Sequence, residues 1–198
     1  MERRHCNSPV SYGWTLLTDL DFVVVEKLEP NPLLQHWMLK DRDDNEIYTI
    51  QKRPSDIKDH LLGSFFKVAL DMMKRPVLAM EREPTYLTFA PLTICTPNGD
   101  VIGYVEVSGG FFGVSYRIKN AEKKIIMDIE REYLAPGDDY SYKITDNENG
   151  NIIASIIKKW DRPYYYPKYE VRFSKKLGVK NKVLIISAVQ IINRYKLS

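Results

Sequence analysis

The sequence predicts a mainly β protein whose strands close, or nearly close, into an antiparallel barrel. Thirteen tyrosines and many valines and isoleucines favour strands, because aromatic and β-branched side chains suit a pleated, half-buried surface. About ten short apolar segments are separated by turn dipeptides such as Asn98-Gly99, Pro136-Gly137 and Asn149-Gly150. No convincing amphipathic helix interrupts them, and closing the sheet would remove its exposed edges.

The first half of the chain predicts one strand followed by two hairpins. The strand Leu20–Glu26 ends before Pro30 and Pro32, which cannot donate ladder hydrogen bonds. The acidic turn at 41–45 resembles the start of an EF-hand loop, but Glu46 stands where that loop needs glycine, so we expect an ordinary hairpin turn. The hairpin strands are Gln35–Leu39 with Glu46–Gln51, and Phe65–Met72 with Val77–Glu83.

The second half of the chain shows the clearest strand alternation. In each of two segments, every second residue is aromatic or aliphatic and the residues between are polar. We expect the two sets of each segment to face opposite sides of the sheet. The apolar sets are Tyr140, Tyr142 and Ile144 in one segment, and Tyr169, Val171 and Phe173 in the other.

Length and composition restrict the class of protein. A chain of 198 residues can bury a core as one domain, and we expect a flexible tail at 1–12 and a single domain at 13–198. The formal net charge of +3 does not indicate a nucleic-acid partner. No apolar secretory segment follows Arg3 and Arg4, so we expect Cys6 and Cys95 to be reduced thiols at a cytoplasmic location, with a single bridge as the alternative.

The apolar segment Val183–Ile192 is predicted to lie inside the molecule, because it has no polar face. Its β-branched residues favour a strand, and periodicity alone does not separate strand from helix over so short a run. Its length is about half of the roughly 20 apolar residues that span a bilayer. A core segment is therefore favoured over a membrane anchor.

Residues 98–160 carry an order of features found in a known family. The polar turn at Asn98-Gly99 precedes Ile102-Gly103-Tyr104-Val105, and a later strand ends Ile118-Lys119-Asn120. A further strand ends with Ile156, Lys158 and Trp160 at alternate positions. This order resembles the phospholipid scramblases. The resemblance implies their tubby-like fold, a closed antiparallel barrel of about twelve strands around a C-terminal apolar helix at about 180–195.

The resemblance also implies a calcium response, which the matching residues do not support. The family carries aspartates at positions that fall here on Tyr165, Pro167, Lys176 and Gly178. Calcium takes six to eight oxygen ligands, several of them carboxylates, and these four residues supply none. We therefore predict no calcium site at this segment.

A basic, aromatic segment is the candidate contact with lipid. Lysines near an anionic membrane surface each contribute about 1 kcal/mol, and tryptophan suits the headgroup region. The alternative is that strand alternation scatters these charges over a solvated outer surface. Cys6 is a candidate for lipidation, against the alternative of a plain exposed cysteine. The candidate lipid-facing residues are Lys158, Lys159, Trp160, Arg162, Lys168, Lys175 and Lys176.

The resemblance implies ATP-independent, calcium-stimulated movement of phospholipids between leaflets, or binding of anionic lipid at the cytoplasmic face of the plasma membrane. The alternative is a soluble tubby-like binding module with a protein or phosphoinositide partner. Bond-making catalysis finds no support, since His5, His36 and His60 show no triad or metal-ligand spacing.

Overall fold

Twelve antiparallel strands form a closed barrel in which each strand pairs with its neighbours in the chain and β1 pairs with β12. The computed structural model describes residues 13–28, 36–52, 65–83, 90–110, 113–132, 140–161 and 166–192. The strands are β1 Phe22–Lys27, β2 Trp37–Lys40, β3 Glu46–Lys52, β4 Phe65–Leu70, β5 Pro76–Arg82, β6 Leu92–Cys95, β7 Val101–Gly110, β8 Gly113–Asn120, β9 Ile125–Glu132, β10 Tyr140–Asp146, β11 Ile152–Asp161 and β12 Tyr166–Phe173. A 3-10 turn at Trp14–Leu17 precedes β1, and helix α1 spans Val179–Ile192.

The predicted barrel is confirmed, and each apolar set lies on one face of its strand. Tyr142 and Ile144 in β10, and Tyr169, Val171 and Phe173 in β12, are buried, while Tyr140 is partly buried against the core. The strand bounds shift by a few residues from the predicted ones. β4 ends at Leu70, two residues before the predicted end, because the following residues form a tight turn. The tail at 1–12 lies outside the described residues.

The barrel has one end built from tight turns, which we call the turn end. It comprises the connections at 41–45, 71–75, 96–100, 120–124, 146–151 and 174–178. The acidic connection at 41–45 is the expected hairpin turn, in which the Asp41 carboxylate accepts hydrogen bonds from the backbone N–H groups of Asp43 and Asn45, both at 2.9 Å. The 3-10 turn lies at this end, where the indole of Trp14 donates to the Val77 carbonyl over 2.8 Å.

Helix α1 fills the barrel. Every residue from Val183 to Ile192 is at most 4 % exposed, so the helix is buried on all sides. A strand at this position would find no free partner inside a closed sheet, whereas a helix satisfies its backbone groups internally. The predicted core helix is therefore confirmed, with bounds of Val179–Ile192 in the described part of the chain.

Gly103, in the Ile-Gly-Tyr-Val sequence, allows the helix to approach β7. A β-carbon at this residue would stand 2.5 Å from the carbonyl oxygen of Lys119 and 2.8 Å from a methyl group of Leu184 on α1. Both distances are too short for real side-chain carbons. The glycine therefore has a packing role between the barrel wall and its core.

Candidate lipid-contacting surface

The structure places the predicted lipid-facing residues in three different environments. Lys158 is the first correction: it is 5 % exposed and its ammonium lies 5.8 Å from the ring centroid of Tyr169, inside the barrel. The cause is the pleat of β11, where Ala154, Ile156 and Lys158 share the inward face. The prediction that Lys158 faces a membrane is wrong.

A second buried lysine joins the same interior region and was missed in the sequence. The ammonium of Lys67 donates to the side-chain oxygen of Gln190 on α1 over 2.8 Å and lies 5.7 Å from the ring centroid of Trp37. The rings of Trp37 and Tyr169 are 6.1 Å apart. Alternation in the sequence gives no signal for this, because the residues of β4 that face outward, Val68 and Leu70, are apolar whereas the inward Lys67 is charged. These groups tie the helix to the barrel wall.

The lysines on the outer wall of β11 and β12 are engaged in ion pairs. Lys159 lies 2.6 Å from Glu170, which also stands 3.8 Å from Arg172. Lys168 lies 3.9 Å from Glu26. Such surface pairs contribute at most about 1 kcal/mol to stability, but they place a carboxylate beside each cation. These lysines therefore present less positive charge to a lipid surface than the sequence suggests.

Part of the predicted set falls beyond what the structure describes. Arg162, Tyr165 and Cys6 lie outside the described residues. Trp160 belongs to β11, but only its backbone is described. Their assignment to lipid contact or lipidation stays a prediction.

The turn between β12 and α1 carries the exposed remainder of the predicted set. Lys175 and Lys176 occupy the turn and Lys180 the first turn of the helix, and all three are exposed. The segment 174–181 contains no acidic residue. Within the described part of the chain, none of the three forms an ion pair. We call Lys175, Lys176 and Lys180 the basic turn.

The positions implied for calcium do not fit that ion. Pro167 is buried in β12 and has no side-chain oxygen, while Lys176 and Gly178 lie in the exposed turn. The nearby carboxylate, Glu170, is paired with Lys159. Among the described residues, no group of three or more histidines, cysteines or carboxylates stands close enough to hold a metal ion.

The turn between β4 and β5 carries exposed apolar residues that the sequence interpretation missed. Met72 is 59 % and Met73 72 % exposed, and Lys74 and Arg75 follow them. We call Met72–Arg75 the methionine tip. The predicted strand extends to Met72, but the strand ends at Leu70 and Asp71, a residue type that favours turn starts, begins the turn.

Cys95 is a free, partly buried thiol in β6. Burial raises the pKa of this thiol, and the carboxylates of Glu81 and Asp100 act in the same direction. The thiol is therefore held in its protonated, less nucleophilic form.

None of the helices in the described residues has the length and hydropathy needed to cross a bilayer.

Comparison with known proteins agrees with this architecture. The chain resembles a solved structure of an Arabidopsis thaliana protein, with a TM-score of 0.55, 11 % identity, and coverage of 90 % of this chain and 96 % of that one. At that identity the likeness shows the fold alone. No curated protein matches the chain. The family model described as Scramblase matches residues 34–196, which is most of the chain. The protein therefore belongs to the scramblase family.

Proposed function

We propose that this protein binds anionic phospholipid headgroups at the cytoplasmic face of a membrane, without bond-making chemistry, and assists lipid movement from there. The observation that carries the proposal is the basic turn, where three exposed lysines stand within six residues and no acid intervenes. Membership of the scramblase family supports a phospholipid partner.

The filled barrel favours contact on the outer surface of the protein. The residues of α1 from Val183 to Ile192 pack against the barrel wall and are buried. A headgroup moved through this core would lose its hydration, which is costly for charged groups. Lipid is therefore expected to meet exposed lysines on the outside of the barrel.

Co-sedimentation with vesicles tests the proposal. We expect binding to vesicles that contain phosphatidylserine, weaker binding at high salt, no binding to neutral vesicles, and no dependence on calcium. Lys175→Ala with Lys176→Ala should weaken binding by about 2 kcal/mol, or roughly 30-fold, because each lysine near the surface contributes about 1 kcal/mol.

The matched control removes the same charge from the outer wall. Lys159→Ala with Lys168→Ala also lowers the net charge by two, but these lysines are already paired with Glu170 and Glu26. This variant should bind much more tightly than the turn variant. Equal losses would show that only total charge matters. A wild-type protein that binds no vesicle would overturn the proposal and favour a soluble module with a protein partner.

A further inference from the structure

We propose that the methionine tip inserts into the interfacial region of an anionic bilayer and so sets the turn end of the barrel against the membrane. This inference rests on the proposed function and adds to it a second, apolar contact. It concerns Met72 and Met73, which belong to a different turn from the basic turn.

The tip is held in one shape by Asp71. The Asp71 carboxylate accepts hydrogen bonds from the backbone N–H groups of Met73 and Arg75, both at 2.9 Å, and from the Arg75 guanidinium at 2.8 Å. The backbone closes with Lys74 donating to the Asp71 carbonyl over 2.9 Å. The two methionine side chains therefore project from a preorganised turn, which lowers the entropy lost when they bind a surface.

The chemistry of the tip suits a lipid interface. Methionine side chains are unbranched and flexible, so they adapt to a disordered environment. Lys74, which is exposed, follows directly and can meet a headgroup phosphate while the methionines enter the apolar layer. The Arg75 guanidinium is engaged by Asp71 and is not counted in this contact. An apolar tip beside an exposed lysine is complementary to an anionic bilayer.

The distribution of exposed apolar residues indicates the same orientation. Six large hydrophobic residues are exposed in the described part of the chain, and five of them lie at the turn end. The sixth, Leu28, follows β1 at the opposite end. The basic turn lies at the turn end as well, so lysines and apolar side chains share one end of the barrel, which also holds the acidic turns at 41–45 and 146–151. The five residues are Leu16, Met72, Met73, Val101 and Ile152.

A polarity-sensitive fluorophore tests insertion directly. It would be attached at Met73→Cys, in a chain that also carries Cys6→Ser and Cys95→Ser, and read on phosphatidylserine vesicles. We expect a blue shift at this position and none at Leu28→Cys, the matched exposed residue at the opposite end. A shift at Leu28→Cys alone would overturn the orientation.

Substitution provides the second measurement. Met72→Ser with Met73→Ser should weaken vesicle binding roughly 30-fold, from the apolar area no longer buried. Leu28→Ser should leave binding unchanged. Two results would overturn insertion while leaving headgroup binding intact, provided that the wild-type protein binds vesicles. One is the absence of a fluorescence shift at residue 73, and the other is a serine variant that binds vesicles as tightly as the wild type. No binding by the wild-type protein would instead count against the proposed function. Tight binding of the variant to neutral vesicles would also overturn insertion.

Discussion

Lys182 links the two ends of the sequence through a single side chain. Its ammonium donates to the carbonyl oxygens of Leu17, Thr18 and Leu20, at 2.9, 2.7 and 2.7 Å, and the residue is 1 % exposed. Burial lowers the pKa of this ammonium, and the carboxylate of Asp19 acts against that change. The lysine therefore provides a hydrogen-bond donor for three backbone carbonyls between the 3-10 turn and β1.

Lys182→Met should therefore destabilise the protein by about 3 kcal/mol, because the variant keeps the apolar stem but leaves the buried Leu17 carbonyl and the part-buried Thr18 and Leu20 carbonyls without this donor. Urea unfolding followed by circular dichroism measures the difference. Lys180→Met is the matched control, since Lys180 is exposed two positions earlier, and it should change stability by less than about 0.5 kcal/mol. Equal effects of the two substitutions would show that the three hydrogen bonds contribute little.

At the residue scale, the sequence showed where the basic residues are concentrated but not which of them are buried. Lys158 and Lys159 look equivalent in the sequence, yet one is inside the barrel and the other on its outer wall. Strand alternation was known to separate such neighbours, but which of the two faces inward depends on the register of β11 against β12. The partners of Lys182 lie more than 160 residues away and give no local signal.

At the scale of the elements, aspartate carboxylates hold two turns of the turn end, because Asp41 and Asp71 each accept hydrogen bonds from backbone N–H groups of their own turn. The backbone N–H of Arg75, together with its guanidinium, holds the pKa of the Asp71 carboxyl below its ordinary value of 3.8. Folding therefore favours the charged form of Asp71. The contribution of this carboxylate to the stability of the folded protein is complete above the unfolded pKa, and it is lost as the pH falls through the lower folded pKa.

Asp71→Asn should lower the melting temperature at neutral pH. The difference in melting temperature between the variant and the wild-type protein should become smaller below about pH 4, because the wild-type carboxyl gains its proton there. Thermal melts between pH 7 and pH 3 measure this difference. Asp43→Asn, at an exposed position in the turn at 41–45, is the control. A difference that stays constant over this range would contradict a role for the Asp71 charge.

The contact between β7 and α1 gives a second prediction for an element. Gly103→Ala should destabilise the protein by about 2 kcal/mol, because the added carbon forces the strand and helix apart. Gly178→Ala is the control, since a β-carbon there meets nothing within 4 Å. Chemical unfolding of both variants measures the difference. A Gly103→Ala protein as stable as the wild type would mean that both Leu184 and the Lys119 carbonyl move without cost.

The type of each element was predictable to different degrees. Strands with alternating residues and turns with glycine or asparagine were identified from local chemistry alone. Val183–Ile192 was not, because an apolar run of this length suits a buried strand or a buried helix equally well. Its helical form follows from the closed sheet around it, which leaves no edge for another strand.

The whole molecule depends on the helix as its core. The barrel wall turns apolar side chains inward from every strand, and α1, which is buried on all sides from Val183 to Ile192, packs against them. Without the helix these side chains would surround an empty or hydrated space, at a cost that exceeds the stability of a typical domain.

A chain that ends at Gly178 should therefore fail to form a cooperatively folded barrel. Size-exclusion chromatography and thermal melts would show aggregation and no sharp transition. The Lys180→Met protein, which keeps the helix, serves as the folded reference. A truncated chain with a cooperative transition would show that the strands close without their core.

The candidate surface was predictable only in part at this scale. The sequence indicated a basic segment, but its lysines lie in three places. Lys158 is inside the barrel, Lys159 is on its outer wall, and Lys175 and Lys176 are at the turn end. The methionine tip was not predicted, because exposure of Met72 and Met73 follows from where β4 ends.

The order in which the parts of the barrel are made has a consequence in the cell. Val25 of β1 pairs with Tyr169 of β12, and the core helix ends at Ile192, which is 165 residues after Lys27. A ribosome adds roughly 5–20 residues per second, so β1 waits on the order of ten seconds or more for its partner and its core. During that time the nascent chain exposes unpaired strand edges and apolar faces. We expect chaperones to hold this chain during its synthesis, and its yield to depend on them more than that of a protein built from local contacts.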